Sequence, residues 1–191
     1  MSTAHGIETE VKIRLADTAA AKLRLSAAGF EMSVERTFES NTVYDSPGLT
    51  LKRAQMLLRL RQVGAESIIT WKGPTIPGQH KVRAELETRV ASLETLHKIL
   101  IALGYEPSFR YEKYRTEYKH AGLPDGTVTL DETPIGDFFE LEGAPDWIDH
   151  TAVVLGFEPS AYVLESYVRL YQDDCAAKGV DPSHMVFSAA R

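Results

Sequence analysis

The run Ile7-Glu8-Thr9-Glu10-Val11-Lys12 alternates apolar or small positions with charged ones almost from the start of the chain. Successive side chains on a strand face opposite sides. Glu8, Glu10 and Lys12 therefore share one side, and Ile7, Thr9, Val11 and Ile13 the other. The same period of two predicts strands over Phe38–Asp45, Met56–Val63, Ser67–Lys72, Val82–Val90, Tyr111–Lys119, Thr127–Asp131 and Asp137–Glu142. The turn-forming runs Asp45-Ser46-Pro47-Gly48, Gly64-Ala65-Glu66 and Pro134-Ile135-Gly136 separate several of them. Helices are expected over Asp17–Ala28 with Asp17 as cap and Gly29 as stop, and over Ser92–Leu103 with Gly104 as stop. Two more are expected over Asp146–Leu155 and Ser160–Ala177, and residues 179–191 read as an irregular tail. With no repeat or linker, residues 1–178 read as a single α+β domain. About eight strands make a sheet long enough to curl or close, which removes its exposed edges.

The charges on these strands keep the parity of the first. Arg59 and Arg61 share a face, as do Arg83, Glu85 and Glu87, then Lys113, Arg115 and Glu117, then Glu140 and Glu142. Lys72 and Asp131 end their strands, and Glu132 has the opposite parity to Asp131. The plain alternative is an antiparallel sheet with one wet face. Against it, the helices need apolar strand faces to dock on, and the charges are rich in Arg and mixed in sign. With the charged faces turned inward, the sheet encloses a tunnel lined by both signs, which must stay hydrated or hold ligands. Arg forks and Lys ammonium groups suit phosphate oxygens, while clustered carboxylates suit Mg²⁺ or Mn²⁺. Together they are the two halves of a phosphoryl-transfer site.

Composition narrows the setting. The 191 residues carry a formal charge of -6, with 43% hydrophobic and 25% charged residues, ordinary for a globular domain and against general nucleic-acid binding. The single Cys175 cannot form an internal disulfide, no run approaches a membrane span, and Met1–Gly6 lacks the features of a signal peptide. The expectation is a cytoplasmic protein without membrane or nucleic-acid partners, monomeric or homodimeric. The six histidines include no pair at metal-binding spacing on a shared face.

The ordered set Glu8-x-Glu10-x-Lys12, Tyr44-Asp45-Ser46-Pro47, Leu58-Arg59-Leu60-Arg61, Trp71-Lys72-Gly73-Pro74, Arg83-x-Glu85-x-Glu87, Lys113-Tyr114-Arg115, Leu130-Asp131-Glu132 and Phe139-Glu140-Leu141-Glu142 resembles the CYTH superfamily, the triphosphate tunnel metalloenzymes. That group includes class IV adenylyl cyclases, thiamine triphosphatases and inorganic tripolyphosphatases. The resemblance runs from Glu8 to about Tyr171. It implies a closed eight-stranded antiparallel β-barrel with helices packed outside. It also implies that Lys12, Arg59, Arg61, Lys72, Lys113 and Arg115 grip a triphosphate, while Glu8, Glu10, Glu140 and Glu142 hold Mg²⁺ or Mn²⁺. Asp131, with Glu85 or Glu87, would be a further metal ligand or position the attacking water, and Lys12, Glu85, Glu87 and Asp131 form the expected catalytic group. Arg169 or Lys178 could cover the tunnel mouth. Hydrolysis of a triphosphate is the favoured reaction. The alternatives are cyclisation of ATP, for which Phe38, Tyr44 and Trp71 offer base-stacking rings, and binding of a polyphosphate without turnover.

Overall fold

The alternation that sorts charged from apolar side chains also decides which side of each strand the helices cover. The computed structural model describes residues 6–188; Met1–His5, part of the segment read above for a leader, and the last three residues of the tail lie outside the described residues. The strands are β1 (Glu8–Leu15), β2 (Glu31–Asp45), β3 (Leu57–Val63), β4 (Glu66–Lys72), β5 (Lys81–Arg83), β6 (Glu85–Val90), β7 (Glu106–Lys119), β8 (Gly126–Thr133), β9 (Gly136–Gly143) and β10 (Tyr162–Val163). The helices are α1 (Thr18–Ala27), α2 (Thr50–Arg53), α3 (Leu93–Ala102), α4 (Pro145–Val154) and α5 (Tyr167–Lys178). No helix among the described residues is long and apolar enough to cross a membrane.

All strand pairs are antiparallel, in the order β10-β1-β9-β8-β7-β2-β3-β4-β6. The expected single strand Val82–Val90 is divided at Ala84, and the division is what brings the sheet round on itself. β6 pairs with β4, whereas β5 pairs with β1, placing Glu8 opposite Arg83 and Glu10 opposite Lys81. Counting β5 and β6 as one stave, eight staves form a nearly closed barrel, and β10 adds to the edge of β1 beyond β5.

The outward faces bury apolar side chains against the helices. Val11, Ile13, Val128, Leu130, Phe139 and Leu141 from β1, β8 and β9 meet Leu25 of α1 and Trp147, Ile148 and Ala152 of α4. Full burial of each large side chain contributes about 1.5–3 kcal/mol. A Cβ on Gly126 would stand 2.4 Å from the Trp147 ring, so only glycine lets α4 approach β8 this closely. On the other flank, Leu60 and Tyr44 pack under Leu100 of α3. The predicted caps are in place: Asp17 Oδ1 accepts from the Ala19 and Ala20 amides, and Ser92 Oγ accepts from the Thr95 amide.

Besides the divided strand, four elements differ from the sequence reading. β2 begins at Glu31, not Phe38, and β7 at Glu106, not Tyr111. The extra stretch of β2 is exposed on both faces and pairs with β7 through two register shifts, so no half-buried alternation marks it. The short α2 follows the Asp45 turn, where the Asp45 carboxylate accepts from the Leu51 and Lys52 amides. The helix expected over Ser160–Ala177 is broken: Tyr162 and Val163 pair with Ile13 and Lys12, and Ser166 caps a new helix. The tail is irregular as expected, yet Met185 is fully buried, bridged to Tyr111 and packed with Phe109, Phe138 and Tyr167.

Candidate active site

Parity along β7 runs Phe109, Tyr111, Lys113, Arg115, Glu117 on the inward side, apolar at one end and charged toward the other. Phe109, Tyr111, Phe138 and Tyr167 form an apolar plug there with Met185. Beyond the plug is a cavity of about 540 Å³ whose lining includes seven carboxylates and eight Lys or Arg side chains. Of the residues expected at the site, Glu8, Glu10, Lys12, Arg59, Arg61, Lys72, Glu85, Glu87, Lys113, Arg115, Glu140 and Glu142 all line it, as do Arg83 and Glu117.

Three groups of ion pairs fill the cavity wall. In the first, Glu8 accepts from Lys72 Nζ at 2.6 Å and from Arg83 Nε at 3.0 Å, and Lys72 also meets Glu85 at 3.1 Å. Glu10 accepts from Lys12 Nζ at 3.1 Å and from Lys81 Nζ at 2.5 Å. Burial and the neighbouring Glu10 raise the pKa of Glu8, but Lys72 and Arg83 outweigh them and hold it below the ordinary value. Burial works against the charge on Lys12 too, and Glu10 and Glu140 overcome it, so its pKa is raised. Lys81 ends lowered to about 8, because burial, Lys12 and Arg83 together exceed the pull of Glu10.

In the second group, Asp131 is fully buried and does not line the cavity. Its Oδ2 accepts from Lys113 Nζ at 2.8 Å, Arg115 Nη2 at 2.6 Å and the Tyr167 hydroxyl at 2.8 Å, and its Oδ1 from Arg115 Nε at 2.7 Å. The role expected for Asp131, metal ligand or water-positioning group, does not match this placement: every oxygen is taken, and the carboxylate anchors two cations instead. Arg115 also reaches Glu140, which is paired with Lys12 at 3.3 Å. In the third group, Arg59 donates to the Tyr111 hydroxyl at 2.9 Å and to Thr70 Oγ1 at 3.1 Å, with Glu87 at 3.7 Å. Arg61 is the least engaged cation, its nearest carboxylate being Glu39 at 3.8 Å. The Nε atoms of Arg59 and Arg61 are buried without a hydrogen-bond partner among the described residues, as expected of donors built to meet an acceptor brought from outside.

The CYTH domain profile matches residues 6–152 of this chain. The chain belongs to the CYTH family. It is 26% identical over 137 residues, 71% of this chain and 76% of the relative, to a candidate adenylate cyclase of Methanocaldococcus jannaschii. Among solved structures, a candidate adenylate cyclase of Vibrio parahaemolyticus superposes with a TM-score of 0.76 at 21% identity, covering 86% of this chain and 97% of that one. A candidate adenylyl cyclase of Hippeastrum, described as having a dominant triphosphatase activity, superposes at 0.62 with 15% identity over 92% of this chain and 97% of that one. At such identities these likenesses speak for the CYTH fold alone.

Three residues of this CYTH barrel escaped the sequence reading. Lys81 is buried on Glu10, a contact its parity with Arg83 and Glu85 would have signalled had the strand been started one residue earlier. Glu39 lies between Lys113 at 3.6 Å and Arg61 at 3.8 Å. It is the only charge in the stretch of β2 first read as a strand before its terminal Asp45, so no alternation announced it. Tyr167 enters from α5, far away in sequence. Arg169 and Lys178, the two candidates for covering the tunnel mouth, pair instead with Asp173 and Asp174 on the surface of α5; Glu132 pairs with Arg36 on the outer side, where its parity put it.

Among the described residues no three carboxylate, His or Cys side chains are grouped as a ready-made metal site. The donor set nevertheless fits a divalent cation at one place. Glu10 and Glu142 stand directly opposite each other on β1 and β9, an arrangement of like charges that weakens a sheet. Unlike Glu8 and Glu10, Glu142 has no Lys or Arg within ion-pair distance among the described residues. Enclosure in the tunnel, then Glu8 and Glu10, raise its pKa to about 7. Water reaches this side chain, which tempers the effect of enclosure and leaves the two neighbouring carboxylates as the lasting cause. A hard cation shared by Glu8, Glu10 and Glu142 would relieve that repulsion.

Proposed function

We propose that this chain is a divalent-metal-dependent triphosphatase that takes the polyphosphate of an inorganic or organic triphosphate into the tunnel. The observation that carries this reading is the ring of eight cations interleaved with seven carboxylates around one cavity. The lining is close to neutral, so a metal-bound triphosphate enters by exchanging partners. Phosphate oxygens take over Lys12, Lys72, Arg83, Arg59, Arg61, Lys113 and Arg115, and Glu8, Glu10 and Glu142 turn to the cation. Such exchange replaces buried ion pairs with others of equal charge, so little uncompensated charge is buried at any point. Once bound, Mg²⁺ or Mn²⁺ would offset charge on the phosphoryl oxygens.

The chain's own groups then act on the phosphates. A water oxygen attacks the terminal phosphorus and the bond from that phosphorus to the bridging oxygen breaks. The guanidinium and ammonium groups offset the charge gathering on the leaving phosphate. Glu85 lines the cavity, and its pKa is raised by burial, opposed by Lys72 and reinforced by Glu8. A raised carboxylate is the better base for the proton leaving the water.

Hydrolysis is favoured over cyclisation because the aromatic rings suited to stacking a base lie elsewhere. Phe38 packs on Tyr114, Tyr44 reaches His97 under α3, and Trp71 has the outward parity of β4. The two tunnel aromatics, Tyr111 and Tyr167, are engaged through their hydroxyls. Class IV cyclase is the second reading, favoured by the relatives' names and by the apolar side chains of Ile7, Leu57, Leu86 and Val168 along the cavity.

Incubation with tripolyphosphate, thiamine triphosphate or ATP, each with Mg²⁺ or Mn²⁺, separates the readings. Release of orthophosphate is expected, and cyclic AMP with pyrophosphate from ATP would replace this conclusion with the cyclase. Arg61→Ala is expected to raise KM for the triphosphate about tenfold with kcat little changed, the mark of a lost ground-state grip. An unchanged KM would take Arg61 out of the phosphate site.

A further inference from the structure

Among the described residues, the first residue of α5 is the only side chain outside the barrel whose polar atom enters the buried charge network described above. We propose that Tyr167 is a positioning residue that holds the phosphate-gripping cations Lys12, Lys113 and Arg115 in place, a role that rests on the triphosphatase reading. Tyr167 lies beyond the segment matched by the family profile, residues 6–152, so the barrel signature does not account for it.

Its hydroxyl donates to Asp131 Oδ2 at 2.8 Å, the same oxygen that accepts from Lys113 and Arg115. A third donor on that oxygen fixes the rotation of the carboxylate, and with it the plane in which the Arg115 fork must lie. The Tyr167 ring stands 5.2 Å from Lys12 Nζ and 5.5 Å from Lys113 Nζ, both within cation–π reach. Two ammonium groups from strands β1 and β7 are thus referred to one rigid ring. A neutral ring face attracts a cation without the full charge of a carboxylate, so it holds the lysines where an arriving phosphate can still take them.

The ring itself is immobilised. It meets Phe138 edge-on at 5.4 Å and Tyr111 at 6.4 Å, and Ser166 Oγ caps the helix by accepting from the Arg169 amide at 3.3 Å. Val168, Leu170 and Tyr171 pack the same helix on the apolar plug, with Met185 of the tail beside it. Helix and tail therefore set the position of the ring, and the ring sets the spacing of the lysines.

The alternative is that Tyr167 only fills space in the plug, and the two roles separate in calorimetry and kinetics on the full chain. In EDTA, Tyr167→Phe is expected to bind tripolyphosphate roughly fivefold more weakly, the loss of one hydrogen bond to a charged group. With metal, KM should rise by a similar factor while kcat stays within about twofold. Tyr167→Leu, which also removes the ring, should weaken binding by about thirtyfold. Arg169→Ala, on the same turn but paired outward with Asp173, should bind like wild type. Tripolyphosphate affinity and KM unchanged in Tyr167→Phe would overturn the hydroxyl's role. If Tyr167→Leu does not fold, the wild-type protein still tests the ring, because its current should move the Lys12 and Lys113 Hε proton resonances upfield. Unshifted resonances would overturn that part. Wild-type protein that neither binds nor hydrolyses any triphosphate marks a failure of the functional reading itself, a result distinct from either of these.

Discussion

Glu142→Gln is expected to cut metal-dependent turnover by at least about a hundredfold while leaving the barrel folded. Among the described residues the side chain has no cationic partner, so its neutralisation strands no buried Lys or Arg there. It faces Glu10 across β1 and β9, so the change removes a repulsion. The stability effect has a sign that can be worked out. In the folded protein the Glu142 pKa is raised from the ordinary 4.5 to about 7. Between those values the folded state binds more protons than the unfolded state, so stability falls as pH rises through the window. Below it the wild-type side chain is protonated in both states and the substitution should change little. Above pH 7, in EDTA, Glu142→Gln should melt at a higher temperature than wild type. Thermal melts at pH 4, below the window, and at pH 8, above it, with turnover assays test both halves. A variant of full activity would remove Glu142 from the metal site, and equal melting points at pH 8 would deny the repulsion. Glu140 offers no such clean test, because it is paired with Lys12 and Arg115 and its loss unbalances both.

Asp131→Ala should carry the largest stability cost of any single change in the tunnel, about 3–5 kcal/mol, the range for breaking a buried ion pair from one side. Asp131 is 0% exposed, and Lys113, one of the two cations that it anchors, is 3% exposed. Glu39 at 3.6 Å from Lys113, together with the Arg115 contact to Glu140, leaves partial compensation, which favours the lower end. Urea unfolding measures the effect as a drop in midpoint at constant slope. Asp131→Asn, which keeps the shape and two acceptor sites, should lose less than Asp131→Ala. A midpoint for Asp131→Ala within error of wild type would mean that Lys113 and Arg115 are held by something else. The sequence reading gave Asp131 a place at the metal. The packed barrel instead sets it off the cavity with four donor contacts from Lys113, Arg115 and Tyr167, a convergence that no single strand announces.

Much of the barrel was legible because a strand sorts its side chains by parity whatever its neighbours are. From Glu8, Glu10 and Lys12 onward, every charged set assigned to one face lines one cavity, and the apolar sets meet α1, α3 and α4. The failures fall where that rule has no grip. Glu31–Thr37 is wet on nearly all positions, so no contrast between faces marked the start of β2. Tyr162 and Val163 sit in a stretch compatible with a helix, and their strand geometry comes from pairing with Ile13 and Lys12. Aromatic rings were the least readable: Phe38, Tyr44 and Trp71, named for stacking, face away from the tunnel, and Tyr167, which reaches into it, arrived on a helix.

By itself the sequence determined which side chains share a face and that those faces carry matched opposite charges, since both follow from the local geometry of a strand. It also carried the ordered motifs that make this chain a CYTH protein. The tertiary structure alone decided which charges are partners. Glu8 meets Lys72 across 64 positions of sequence, and Tyr167 meets Asp131 across 36. Such distances depend on barrel closure at Ala84, on the register of β1 with β5 and β9, and on the helix and tail that fill one end. None of these is a local property, because strand pairing and helix docking are set by the summed burial of many distant residues, and only that sum turns a row of alternating charges into a site.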